Sequence, residues 1–240
     1  MNLKTFSTQP DFVAATVAVI ENLCETKQGS IFVALSGGST PRPVYEALAK
    51  NLQIDFERIE WYVVDERYVP FGSDDSNYKM IMEAFGAAQP EFSEHFHFFN
   101  TSLQLEESAR QYEEELKKIP GTQFDLVLLG MGNDGHTASL FPHSPALQEN
   151  ERLAVDTINE DRPGAPAGQS LWAAPAVRDR LTITWPMILR AKKVVLLVSG
   201  EGKHSMVEEL MNGTKSAEEF PARRLWEHPD CSIQYLEKLG

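Results

Sequence analysis

The sequence predicts an α/β fold: a Rossmann-like, doubly wound and mostly parallel sheet with helices on both faces. The runs IFVAL (31–35), IEWYVV (59–64), FDLVLL (124–129) and VVLLV (194–198) are nearly continuous apolar segments of strand length. That pattern belongs to strands covered on both faces. Amphipathic stretches of helical length lie between them, and such alternation argues for a parallel sheet. Each run also ends in a loop of unusual composition, and open parallel sheets bind ligands just outside the carboxyl ends of their strands.

Taken in order, residues 10–27 open with Pro10-Asp11 and place Phe12, Ala15, Val19 and Leu23 at helical spacing. Residues 41–50 begin with Pro41 behind Thr40 and set Val44 and Leu48 four apart, a second helix. Residues 104–118 form a charged amphipathic helix stopped by Pro120-Gly121. LTITW (181–185) alternates more clearly than the other runs and reads as a further strand nearer an edge. A helix over 202–211 ends at Asn212-Gly213, where a left-handed cap is expected. The Pro-, Gly- and Ala-rich stretch 159–176 shows no period and reads as a long loop, a candidate lid. Residues 1–240 are expected to make one domain.

The 240 residues carry a formal charge of −13 and are 42% hydrophobic, enough for a sizeable core. That charge argues against nucleic acid or an anionic membrane surface as partner. A small anionic ligand is compatible with it, because a few local cations can act against a negative whole. Cys24 and Cys231 lie far apart with no metal or redox spacing, and reduced thiols are expected. The opening MNLKTFSTQPDF lacks a basic segment followed by an apolar core, and no apolar run reaches the roughly 20 residues of a membrane span. A cytoplasmic protein is expected, large enough to stand as a monomer, with a weak homodimer as the alternative.

In SGGSTP (36–41), Gly37 and Gly38 permit close backbone approach, and Ser39 or Thr40 is expected to cap the helix after it. Free N–H groups there suit an anion, most naturally phosphate. The loop is neither a Walker A sequence nor GxGxxG, so no nucleotide cofactor is implied. In DERYVPFGSDDSN (65–77), Arg67 could grip a phosphate, while Asp65 or Asn77 could meet sugar hydroxyls or hold loops in place. GMGNDGH (130–136) presents His136, the residue type suited to a general base near neutral pH, with Asp134 two positions before it and Gly130, Gly132 and Gly135 for tight geometry. In SGEGKHS (199–205), Lys203 stands at a helix start, where an anion would be attracted. His95 and His97 have the spacing of a metal pair on a strand, but no third ligand motif accompanies them and no metal is expected.

These loops occur in an order that resembles the 6-phosphogluconolactonases, relatives of the glucosamine-6-phosphate isomerases. SGGSTP, DERYVP…DSN, GMGNDGHTASLFP, RLTITW and SGEGK all fall in place, and FPARRLWEHPDCSIQYLE resembles the closing helix–strand segment. The GxGxDGHTASLFP string is the specific part. The isomerases have Asp-Glu-Tyr where this chain has Asp65-Glu66-Arg67, and a carboxylate after the Asp-Gly-His unit where it has Thr137 to Phe141. Both differences favour the lactonase. The resemblance implies hydrolysis of 6-phospho-D-glucono-1,5-lactone to 6-phosphogluconate without a cofactor. It implies His136 as the base that deprotonates water, Asp134 orienting it or raising its basicity, and Arg67, Lys203 and Arg180 holding the phosphate. Backbone N–H groups at Gly37–Gly38 or in the 130–135 loop are the candidate oxyanion donors. The family motif commonly continues Pro-Gly where this chain has Pro142-His143, which changes the exit of the loop and not its reactive residues.

Two rivals predict different outcomes. An amino-sugar phosphate isomerase or deaminase would release ammonia from glucosamine 6-phosphate, and a non-catalytic sugar-phosphate sensor would bind without turnover. A serine hydrolase built on Ser139 is disfavoured, since that residue lies in no G-x-S-x-G elbow.

Overall fold

The computed structural model describes residues 1–159 and 178–238. Its main sheet has seven strands, all paired in parallel: β1 (Asn2–Phe6), β2 (Ile31–Leu35), β3 (Ile59–Val63), β5 (Phe96–His97), β6 (Leu126–Gly130), β9 (Val194–Ser199) and β10 (Cys231–Leu236), in the spatial order β1-β10-β9-β6-β2-β3-β5. The four apolar runs are the centre of this sheet. Leu126, Val127, Leu128 and Leu129 are fully buried, as are Val33, Ala34 and Leu35. Burying both faces of a strand is favourable only if every residue is apolar, which is why these segments do not alternate.

The order of the strands locates the ligand crevice. The chain leaving β2 proceeds outward to β3 on one side, whereas the chain leaving β6 proceeds to β9 on the other. The loops after these two adjacent strands therefore diverge, and the gap between them opens at the carboxyl edge.

Helix α1 (Gln9–Thr26) begins where Thr8 accepts from the N–H of Asp11, and buries Phe12, Thr16, Val17 and Ile20. Helix α2 (Arg42–Leu48) follows β2, and α3 (Asn77–Phe85) is capped by Ser76. Helix α4 (Leu105–Lys117) gives way at Pro120-Gly121, where Gly121 has φ 67°. Helices α5 (Trp185–Arg190) and α6 (His204–Asn212) flank β9. No helix among the described residues is long and apolar enough to cross a membrane. Cys24 and Cys231 are free thiols.

A second sheet was not legible in the sequence. Strands β4 (Asp65–Arg67), β8 (Asp179–Ile183) and β7 (Ala154–Ile158) form a three-stranded antiparallel sheet in the order β4-β8-β7. It hangs from the main sheet through Val64, whose N–H donates to Leu35 O (2.9 Å) and whose carbonyl accepts from Ile183 N (2.9 Å). Three expectations are corrected. LTITW is no edge strand: β8 is the middle of the small sheet, and Trp185 opens α5. Gly213 is extended (φ −72°, ψ 179°) rather than left-handed; its N–H closes the last turn on Glu209 O, and the Lys215 N–H bonds the Glu209 side chain. Neither Ser39 nor Thr40 caps α2; the cap position is Pro41, with no side-chain bond, since Thr40 turns to Ser199 instead. Beyond Asn159, the candidate lid at 159–176 lies outside the described residues.

Candidate active site

The loops after β2, β6 and β9 and the strand β4 enclose a cleft of about 640 Å³. Its walls include Gly37, Gly38, Ser39, Thr40, Asp65, Arg67, Asn77, Asp134, His136 and Lys203. Residues separated by more than a hundred positions meet here because parallel strands bring their ends to one edge. Arg180 is not among the wall residues. It is buried in β8, opposite Arg67 in the register, with Nη1 donating to Asp179 O at 3.2 Å.

The loop after β6 is shaped around one side-chain pair. His136 Nδ1 donates to Asp134 Oδ1 at 2.5 Å, and the His136 N–H reaches the same oxygen at 3.2 Å. The imidazole therefore has a fixed orientation, with Nε2 on the side away from Asp134. Its ring packs on Phe141 with centroids 4.6 Å apart, and its side chain remains 29% exposed. Burial raises the Asp134 carboxyl, but the hydrogen bonds and charge of His136 outweigh it and hold the group below the ordinary carboxylate range.

Gly132 is needed for contact reasons. A Cβ there would lie 2.2 Å from the His136 ring and 2.6 Å from Asp134 Oδ1. Gly135 has φ +82°, and a Cβ on it would strike the Phe220 ring at 2.3 Å. The loop's amides are largely committed to its own shape: Gly132 N donates to His136 O (2.9 Å) and Gly135 N to Gly132 O (3.3 Å). With His136 N bound to Asp134, these three are removed as oxyanion donors. Among the described residues, the N–H groups of Gly37 and Gly38, and that of Asn133 in the loop itself, have no such commitment.

Strand alternation sets Asp65 and Arg67 on the cleft face of β4. Arg67 Nη1 donates to Asp75 O at 2.6 Å. Asn77 Nδ2 donates to Asp65 O at 2.7 Å and its amide lies over Gly37, where any Cβ would collide with it at 1.9 Å. Ser139, fully buried, donates to Asp65 Oδ2 at 2.7 Å, so its hydroxyl is a strut between loops and not a nucleophile. Glu66, between the two cleft residues, points into the protein. Burial pushes its carboxyl up to about 7, against the pull of the N–H groups of Tyr78, Asn77 and Arg67.

Lys203 enters from the far side and donates from Nζ to Met131 O at 2.7 Å. Burial lowers its ammonium below the ordinary lysine range, and the Asp134 charge opposes that shift. Sequence reasoning missed Ser199, whose hydroxyl lies 2.7 Å from Thr40 Oγ1, and also Ser36, Asn133 and Asn159, which complete the walls. Position at a strand end was the available signal for Ser36 and Ser199. His95 and His97 both turn to Glu60, at 3.2 and 2.9 Å, and among the described residues no cluster of ligating side chains fits a metal ion.

An oriented carboxylate–imidazole pair and two cations lining one cleft at the carboxyl edge of a parallel sheet define an α/β protein with a site suited to a small anionic ligand. Comparison with known proteins narrows this. Residues 7–233 match the family described as glucosamine-6-phosphate isomerases/6-phosphogluconolactonase, and the chain belongs to that family. It is 39% identical over 219 residues to a 6-phosphogluconolactonase of Synechocystis sp., covering 88% of this chain and 83% of the relative. A 6-phosphogluconolactonase of Thermotoga maritima is 35% identical, with 85% of each chain covered. The crystal structure of a Thermotoga maritima 6-phosphogluconolactonase superposes with a TM-score of 0.79 at 30% identity, covering 99% of both chains.

Proposed function

We propose that this protein hydrolyses 6-phospho-D-glucono-1,5-lactone to 6-phosphogluconate, the lactone-opening step of the oxidative pentose phosphate pathway. The observation that carries the mechanism is the Asp134–His136 pair in a cleft shared with Arg67 and Lys203. Asp134 holds the imidazole in the tautomer protonated at Nδ1. Nε2 then takes a proton from water as the oxygen attacks the lactone carbonyl, and the protonated ring can return it to the ring oxygen as that bond breaks. General-base help of this kind is worth about 10²–10⁴-fold. The Gly37 and Gly38 N–H groups, or that of Asn133 in the 130–135 loop, are the donors for the developing oxyanion.

Arg67 and Lys203 receive the phosphate. Support for this end of the assignment is that both side chains line the cleft that holds the Asp134–His136 pair. Asp65, Asn77, Ser39 and Thr40 are left to meet sugar hydroxyls or to hold the walls. The reading treats residues 1–240 as one unit, acting as a cytoplasmic monomer. The hydrogen bonds that join the two sheets at Val64 support the single unit.

The test is an assay on freshly generated lactone, coupled to the dehydrogenase that consumes 6-phosphogluconate, with spontaneous hydrolysis subtracted. Turnover well above that background is expected. Ammonia release from glucosamine 6-phosphate without lactone hydrolysis would sink the reading.

A further inference from the structure

Segment 65–78 supplies Asp65, Arg67 and Asn77 to the cleft, and one side chain outside the cleft grips the backbone at both ends of it. Glu66 is 1% exposed and faces away from the strand face that carries Asp65 and Arg67. Its carboxylate accepts four hydrogen bonds. Oε1 receives the N–H of Arg67 at 2.8 Å and of Asn77 at 2.7 Å. Oε2 receives the N–H of Tyr78 at 2.7 Å and the Ser76 hydroxyl at 3.1 Å.

Helix capping accounts for only part of this arrangement. Glu66 takes the N–H groups of Asn77 and Tyr78, the first two residues of α3, beside Ser76 Oγ, which accepts from Lys79 N at 3.2 Å. The Arg67 N–H lies outside the helix. What Glu66 adds is closure: one oxygen clamps residue 67 to residue 77 across the turn between them. The side chains carried by those two amides are fastened within the same segment, Arg67 to Asp75 O and Asn77 to Asp65 O. A displacement of either amide therefore displaces a cleft group. A neutral amide in place of the carboxylate has only one acceptor oxygen, so its NH₂ would face the Tyr78 N–H.

We propose that Glu66 is a positioning residue for the anion end of the cleft: it sets the spacing between the Arg67 guanidinium and the Asn77 amide, and through it the affinity for the phosphate of the substrate. The proposal rests on the reading that Arg67 binds phosphate. In Glu66→Gln, assayed well below its unfolding temperature, KM should rise about tenfold while kcat stays within about twofold. The inhibition constant for inorganic phosphate should rise by the same factor, and hydrolysis of unphosphorylated glucono-1,5-lactone should keep its wild-type rate.

A clamp with a structural role alone would lower Tm and leave KM and phosphate inhibition unchanged, and that result overturns the proposal. Should Glu66→Gln not fold, Ser76→Ala removes one of the four donors and should raise both constants by about threefold; unchanged constants overturn it equally. Calorimetric titration with inorganic phosphate separates the two readings. Absence of lactone turnover in the wild type defeats the proposed reaction, whereas unaltered phosphate affinity in the variants defeats only the role of Glu66.

Discussion

The two sheets of this molecule contribute to the cleft in different ways. The main sheet offers loops: β2, β6 and β9 end in glycine-rich turns, and the Asp134–His136 pair sits on the turn after β6, where backbone freedom lets an imidazole and a carboxylate fold onto each other. The small sheet offers strand faces. Asp65 and Arg67 project from β4 by simple alternation, held in register by β8 and clamped from behind by Glu66. Proton transfer needs two groups at hydrogen-bond distance, which a short loop can build locally. Phosphate binding needs cations from distant segments at a fixed spacing; a paired strand can hold Arg67, and Lys203 joins it from the loop after β9.

If this division is right, substitutions in the β6 loop should act on kcat and those in the small sheet on KM. The largest effect is expected for His136→Ala: kcat should fall by at least about a hundredfold with little change in KM. Near-normal turnover in that variant would falsify the assigned base. Next is Arg67→Ala, whose loss of a charge-assisted hydrogen bond should raise KM about tenfold or more with kcat retained. A fall in kcat at constant KM would erase the distinction between the sheets. Gly132→Ala forces a Cβ into the His136–Asp134 contact and should cut kcat about tenfold while leaving phosphate inhibition intact. Full activity there would show that the loop does not constrain the pair.

Two smaller effects sharpen the electrostatics. Because burial lowers the Lys203 ammonium, its charge is lost at lower pH than that of an exposed lysine. Phosphate inhibition should therefore weaken as pH rises through the alkaline range, and Lys203→Arg should abolish that dependence, since guanidinium stays charged. The same alkaline limb in both proteins would assign it elsewhere. Asp134 has a depressed carboxyl, so its contribution to stability is present above the ordinary value of about 3.9 and lost as pH falls through the folded-state value. The Tm difference between wild type and Asp134→Asn should shrink on acidification below about pH 4. A difference independent of pH would mean that the His136 contact carries no net charge coupling.

Legibility in the sequence followed the same line. IFVAL, FDLVLL and VVLLV announce themselves because a doubly covered strand must be apolar throughout. The GMGNDGH loop is readable because its glycines, acid and imidazole are contiguous. Asp65-Glu66-Arg67 looked like a loop because three charged residues carry no strand pattern. Only pairing with Arg180–Thr182, more than a hundred residues away, makes them a strand. Ser39 and Thr40 showed a capping signal that the structure spends otherwise: Thr40 has a hydroxyl partner in Ser199, and Pro41 takes the cap position.

The sequence by itself determined the class of fold, the strands of its centre and which side chains the loop at 130–136 presents. These are properties of residues close together in the chain, where side-chain character and backbone freedom act locally. Only the tertiary structure decided that Arg67, Asn77 and Lys203 share walls with His136, that Arg180 pairs with Arg67 across β4 and β8, and that Glu66 clamps the turn. Those arrangements arise from strand register and from the burial of a carboxylate among distant amides, energies that no short window of sequence contains.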